Sequence, residues 1–526
     1  MVISIKIRIF VPDMRKHIYY IIGVWLLAGN VNAQERSLLD SLHYRAELQT
    51  TLASGDHNPL WLNANKYGLS SLKKTNGYLR GALERPLSAD NGRKWGFGYG
   101  ADLAVASGFT SKLIVQQAYV EGRWLKGTLT VGSKEYPMEL KNNQLSSGSQ
   151  TLGINARPIP QVRLALPDYW TIPYTKSWIA IKGHIAYGKP TDDNWQKDFS
   201  QKQSKYTENT WHHSKAGYLR IGKNGKPFSA ELGLEMASQF GGTTYHTTDE
   251  NSVIENSSDL KSFFRALIPG GGDAVETTYR NEEGNQLGSW MIRLNYQTDS
   301  WKASVYGEKY FEDQSSMFLL DYDGYGTGDE WNARKKNRYL LYDLKDMMLG
   351  AELNLLHGTW LKDIVFEYLY TKYQSGAVYH DRTISFPDHI GGLDDFYNHY
   401  IFTGWQHWGQ VMGNPLYLSP LYNENGEIKI KNNRFMAFHL GLSGRPSSCL
   451  SYRVLATWQD GLGVYKDPYT EKKESFDLLV EGTYSFPKGK LAGWSVTGAY
   501  GADFGDLRGD NHGFQLTITK KGVFGK

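Results

Sequence analysis

The chain has 526 residues, with 58 Lys and Arg against 54 Asp and Glu and a mean hydropathy of −0.49. No stretch reaches the ~18 apolar residues that a membrane-spanning helix needs, and the near-neutral charge provides no basic footprint for nucleic acid. The single cysteine, Cys449, excludes an intramolecular disulfide and any zinc or iron–sulfur site built on several thiolates. Tyr, Trp and Gly are abundant instead, as expected where apolar residues alternate with polar ones rather than cluster.

In chain order, the first element is an export signal. Lys6, Arg8, Arg15 and Lys16 form a basic region, Ile18 to Ala28 is an apolar run too short to span, and Val31 and Ala33 occupy the small-residue cleavage positions. Residues 1–33 therefore read as a cleavable secretory signal peptide and 34–526 as one domain. "SLLDSLHYRAEL" fits either a short amphipathic helix or the first strand. "KWGFGYGADLAVA" (94–106) alternates Trp95, Phe97, Tyr99, Leu103 and Val105 with Gly96, Gly98, Gly100, Asp102 and Ala104, the period of a β-strand with one greasy face. The same period recurs in "PFSAELGLEMA", in "SWMIRLNYQ", where Ile292 and Leu294 oppose Arg293 and Asn295, in "WSVTGAYGAD" and in the terminal "HGFQLTITKKGVF".

About 18 such segments run through the chain, most around ten residues long, with aromatics toward their ends, as in membrane strands flanked by interfacial girdles. A bilayer forbids open sheet edges. The expected fold is therefore all-β: a closed antiparallel transmembrane barrel of about 18 strands with long extracellular loops and minor helical segments. The greasy face of 94–106 should meet lipid and its Gly/Asp face a crowded polar lumen. A large secreted β-sandwich is the soluble alternative, but the terminal strand, which resembles the closing strand of outer-membrane barrels, argues against it. Long irregular stretches occupy 133–175, 189–214, 240–287, 312–336 and 373–431, with a helix expected over Leu260 to Leu267.

The stretches contain "VGSKEYPMELKNNQLSSG", "NARPIPQVRLALPDYWTIPYTKSW", "HIAYGKPTDDNWQKDF", "WHHSKAGYLRI", "FEYLYTKYQSG" and "DDFYNHYIFTGWQHWGQVMGNPLY", over roughly residues 110–500. In these motifs, their order and their spacing the chain resembles the Wzi-type capsule assembly outer-membrane proteins in their Bacteroides-like version. The resemblance implies a monomer with a closed lumen, acting as a surface lectin that holds capsular polysaccharide on the cell. The partners implied are that polysaccharide or another surface glycan, outer-membrane lipid and the barrel-assembly machinery. The segment before residue 70 departs from the longer helical region of enterobacterial relatives. No binding residues transfer position by position.

The loop chemistry suits sugars, which are gripped by aromatic faces and planar polar groups. Stretch 397–417 offers Tyr397, Asn398, His399, Trp405, Gln406, His407 and Trp408. Stretch 155–175 offers Asn155, Arg157, Asp168, Tyr169 and Trp170, and Arg157 can grip a uronate or phosphate bidentately. The opposing reading is that these aromatics pack the loops over the barrel mouth.

Signals for catalysis and metals are thin. Asp192–Asp193 and Asp394–Asp395 are adjacent acids, poorly spaced for acid/base work. His212–His213 suits no single metal, and "DYDGYGTGDEW" lacks ligands where a calcium loop needs them, at Tyr325 and Asn332. The sequence thus points to a non-enzymatic surface lectin without a cofactor. An oligosaccharide or ion channel is the alternative, distinguished by an open rather than a plugged lumen.

Overall fold

A computed structural model describes residues 41–223, 225–247, 252–268, 284–312, 319–322, 337–340, 346–380 and 389–524. The expected signal peptide, the last two residues and the calcium-like stretch beyond Tyr322 lie outside the described residues.

The strands of the wall are β1 (His43–Ser54), β2 (Thr75–Arg85), β3 (Trp95–Ser107), β4 (Leu113–Trp124), β5 (Gly127–Ser133) and β6 (Gln161–Thr171). They continue as β7 (Ile179–Gly188), β8 (Trp211–Ile221), β9 (Phe228–Phe240), β10 (Asn285–Gln297), β11 (Trp301–Glu312) and β12 (Met347–Leu355). The last six are β13 (Asp363–Tyr370), β14 (Phe435–Gly444), β15 (Leu450–Val464), β16 (Asp467–Phe486), β17 (Trp494–Phe504) and β18 (Asn511–Val523). Together they form one 18-stranded sheet in which each strand pairs antiparallel with its neighbour in sequence. β18 returns to β1 in continuous register from His43↔Val523 to Ser54↔His512. The sheet is closed, so no strand edge is left unpaired.

The period-two pattern decides which face each residue takes. On β10, Ile292, Leu294 and Tyr296 are exposed while Met291, Arg293 and Asn295 are buried. On β3, Trp95, Phe97, Leu103 and Val105 lie on the outside and Asp102 and Ala104 inside. Exposed large apolar residues recur on strand after strand (Leu48, Leu79, Val120, Leu164, Phe366, Leu516), a belt that suits hydrocarbon and would be costly in water. Trp95 stacks on Trp124 of β4 near one rim, with ring centroids 5.9 Å apart.

The connections divide by length. One rim carries short links such as 125–126, 172–178, 222–227, 298–300 and 445–449. The other carries 55–74, 134–160, 189–210, 241–284, 313–346 and 371–434. Outer-membrane barrels keep short turns on the periplasmic side, which makes the second rim the outer one. The expected helix is present as Leu260–Leu267, capped by the Asp259 side chain accepting from Ser262 N–H at 2.8 Å.

The sequence reading differs from the structure in two places. "SLLDSLHYRAEL" resolves toward a strand, since β1 starts at His43. The irregular stretch 133–175 contains β6 despite Pro167 and Asp168, because the β6–β7 register shifts between Leu166 and Trp170. A bulge of this kind accommodates a proline in a ladder.

The core of the protein lies inside the bore. Three outer-rim segments descend into it: 55–74 brings Leu60, Trp61 and Leu62, 134–160 brings Leu145 and Ile159, and 371–434 brings Phe396, Tyr397, Trp405, Leu416 and Tyr417. They pack on the inward Tyr306, Tyr310, Met348 and Val365 of the wall as one apolar cluster.

Candidate functional site

The filling is fastened to the wall by buried charges. Inward carboxylates on alternate strands accept hydrogen bonds from segment 146–152. Glu367 of β13 accepts from Ser146 Oγ, Ser147 N and Ser147 Oγ at 2.6–2.8 Å, and from Tyr306 Oη at 2.6 Å. Glu308 of β11 accepts from Gln150 N at 2.8 Å and pairs with the fully buried Lys141. Glu235 of β9 accepts from Tyr218 Oη at 2.6 Å. Arg293 pairs with Glu352 at 2.6 Å and Arg508 with Asp477 at 3.0 Å, while Asp102 receives Arg80 and Arg45 at 2.6 and 2.7 Å. Irregular backbone inside a bore needs such partners, because each unpaired buried amide costs about 1–3 kcal/mol.

The residues expected to bind sugar fall into three places. The first is the plug. Tyr397 is fully buried, its hydroxyl donating to Gln150 O and accepting from Asn414 N, its ring 4.0 Å from that of Tyr417. Trp405 is buried, donating from Nε1 to Thr151 O at 3.0 Å, and Gln406 is held by Thr403 and Gly409. Trp408 is buried beside Trp195, Tyr206 and Ile428. Tyr397 and Trp408 both have positive φ (68° and 54°), a conformation that bulky residues keep only where packing enforces it. None of these rings offers a free stacking face, so their role in this structure is to pack the loop. That is the opposing reading of the same motif.

Arg157, on the neighbouring segment, is brought against this group. Its guanidinium lies 4.2 Å from the Trp408 ring centre, and its carbonyl accepts from His407 Nδ1 at 2.7 Å. Burial holds the His407 imidazole down at about 4, and the neutral ring sits between two carbonyls, with Nδ1 2.7 Å from Arg157 O and Nε2 2.7 Å from Thr191 O. Gly68, with φ +71°, lets 55–74 run directly against the Arg157 backbone, where any Cβ would collide. Asn155 bridges as well, accepting from Asn65 N and donating to Val411 O, both at 3.0 Å.

The second place is the wall. Tyr169 and Trp170 sit on β6 near the short-turn rim rather than in an outer loop, which corrects the assignment of 155–175 to one loop. Alternation sends them to opposite faces. Tyr169 points inward, under Lys182 at 4.6 Å and Arg220 at 4.8 Å, and Trp170 faces outward at the level of the girdle.

The third place is a cleft of about 560 Å³ under the outer rim, lined by Lys205 of 189–210, Asn398, His399 and Tyr400 of 371–434, Lys429 and Lys466. Tyr400 is 63% exposed. Lys205 Nζ donates to His399 O at 2.6 Å and Tyr400 O at 3.3 Å, and burial, reinforced by Lys429 and Lys466 nearby, pulls its ammonium down to about 8. Asn398 is clamped by Asp395 and Ile430. His399 Nδ1 accepts from Ile401 N and Phe402 N, and burial lowers its imidazole to about 3, leaving a neutral ring whose other nitrogen is a donor. Three of the acids in the lining are engaged internally: Asp395 with Asn398 and Asn433, Glu427 with Lys431 at 2.9 Å, Glu312 with Tyr310 and Tyr397. Of the expected residues, the structure brings only Asn398 and His399 here. Lys205, Lys429, Lys466 and Tyr400 carry no motif in the sequence, because distant segments meet to make the cleft.

No protein-family model and no curated protein sequence matches the chain. Among solved structures it is similar to Wzi of Escherichia coli, an outer-membrane protein involved in group 1 capsule assembly and described as a carbohydrate-binding β-barrel. The TM-score is 0.53 at 11% identity, over 91% of this chain and 84% of that one. Two structures from Pseudomonas aeruginosa also align: OprD (TM-score 0.44, 9% identity, 92% of this chain and 95% of that one) and OccK3 (0.43, 11%, 92% and 97%). The fold is that of an outer-membrane β-barrel. Among the described residues no group of three or more His, Cys, Asp or Glu side chains is placed to hold a metal ion.

Proposed function

We propose that this chain is an outer-membrane surface lectin, a plugged barrel that retains a capsular or other surface polysaccharide. The observation that carries the reading is the outer cleft, where an exposed Tyr400 ring stands beside His399 and three lysines on a rigidly fastened plug. An aromatic face covers the C–H surface of a sugar, while ammonium and imidazole donors bind its hydroxyls and any acid group. Two further observations support it: the bore is filled by packed segments rather than lined for water, and the fold is like that of Wzi. The sequence motifs first suggested Trp405, Trp408, Tyr397 and Gln406 as contacts. These four are buried in the plug, and Tyr169 and Trp170 lie on β6, so in this reading the sugar contacts are sought in the cleft instead.

The test pairs binding with conductance. Purified protein should bind polymer isolated from its own cell surface, open no steady conductance in a planar bilayer, and lose polymer binding on Tyr400→Ala with Lys429→Ala while still folding. Steady single-channel steps without polymer binding would replace this reading with the channel.

A further inference from the structure

Below the outer cleft, inside the bore, lies a separate cavity of about 120 Å³ between segment 151–159 and strands β6–β9. Two arginines line it, and among the described residues neither is in an ion pair. Arg157, only 7% exposed, stacks on Trp408, and Arg163 of β6 stacks on Tyr136 with its guanidinium carbon 3.9 Å from the ring centre. Among the described residues, neither guanidinium makes an ion pair or a side-chain hydrogen bond, and the Nε of each is buried without a partner. His212 on the same lining also leaves Nδ1 unpartnered. Burial alone lowers Arg157 to about 10, still fully charged at neutral pH.

The other charged groups on the lining are already engaged. Glu235 accepts from Tyr218, Glu139 pairs with Lys182 and Lys134 pairs with Glu121. Arg293, Arg508, Arg80 and Arg45, by contrast, each pair with a carboxylate. Glu139 and Glu235 attract Arg163 across the cavity without forming an ion pair with it. Two buried guanidinium groups without a direct ion-pair partner on one cavity are unfavourable unless an anion joins them. Stacking fixes each planar fork by its face and leaves its edge donors to grip an oxyanion.

We infer that this cavity is a binding site for one small oxyanion, a carboxylate, phosphate or sulfate, held between Arg157 and Arg163. A site of this size takes a free ion or a single acid substituent rather than a length of sugar chain. It joins β6 to the plug and does not rest on the polysaccharide reading, whose contacts lie in the outer cleft.

The test uses the full chain, folded in detergent and exhaustively dialysed. Inorganic phosphate, inorganic sulfate and glucuronate are each titrated by calorimetry, against uncharged glucose. Wild type should bind at least one of the three oxyanions saturably with one site, and glucose not at all. Arg163→Gln should weaken that binding by about tenfold or more, the loss expected for one charge-assisted fork. Arg163→Gln should still migrate as a folded barrel on unheated gels, and Arg163→Lys should recover part of the affinity. Phosphate or sulfate binding identifies a free ion as the occupant, and glucuronate binding alone identifies an acidic sugar. No saturable binding of any of the three by folded wild-type protein overturns the inference. So does equal binding by folded Arg163→Gln.

Discussion

The wall and its filling are built on opposite rules. On the wall each side chain answers to one partner medium: Ile292 and Leu294 to lipid, Arg293 and Asn295 to the bore. In the filling, residues 402–420 have no period at all, yet every one of them is buried. The wall satisfies its backbone through the ladder. The filling satisfies its own partly through scattered backbone bonds between loop segments and partly through side chains, among them the inward Glu367, Glu308 and Glu235. A polar, irregular sequence can therefore be more deeply buried than an apolar strand, provided the surface it meets carries acceptors for its amides.

The sharpest way to break this contrast is to remove one buried charge between the two regions. Lys141→Met leaves Glu308 uncompensated inside the bore, and loss of one partner from a buried pair costs roughly 3–5 kcal/mol. We expect a lower unfolding temperature and the appearance of bilayer conductance as segment 134–160 loosens. An unchanged melting temperature and a silent bilayer would mean that the wall carboxylates do not fasten the plug.

On the wall, Ile292→Arg puts a charge on a side chain that is 45% exposed on the lipid face, costing roughly 2–4 kcal/mol at the midplane. Failure to reach the heat-modifiable folded form is the expected outcome. Normal assembly would show the inside and outside faces to be exchanged by one residue.

A smaller effect is expected at Asn295, on the inward face of the same strand. Sequence alone suggests that Asn295→Asp is harmless on the lumen side. In the structure Asn295 Nδ2 donates to Glu231 Oε2 at 3.1 Å, so the substitution removes a donor and sets two carboxylates together. Its Oδ1 keeps Arg293 and Ser304. A loss of about 1–3 kcal/mol in chemical unfolding is expected, with assembly retained.

The smallest structural effect belongs to the cleft. Tyr400→Ala should alter stability by no more than about 0.5 kcal/mol, as surface substitutions usually do, while polymer retention by cells falls. Loss of folding would make Tyr400 a packing residue like Tyr397.

The same contrast explains what could be read in advance. Ile292, Trp95 and Asp102 were legible because a strand gives each residue a face by parity alone. The helix at Leu260–Leu267 was legible because its cap and period are local. Tyr169 and Trp170 were misplaced because Pro167 breaks the local pattern while a bulge repairs it in the ladder. Arg157, Trp405 and Trp408 were recognisable as an unusual cluster, but whether such rings face solvent or one another depends on segments 250 residues away, as in the hydrogen bond from His407 to Arg157.

By itself the sequence determined the alternation of faces, the number of strands and therefore closure, because these follow from short-range geometry and from the cost of an open edge in lipid. Only the tertiary structure decided that three outer segments fold inward, that Lys205, Lys429 and Tyr400 share one cleft, and that Arg157 and Arg163 face one cavity without an ion-pair partner. Those facts depend on which distant segments meet inside the bore, and no local propensity encodes that.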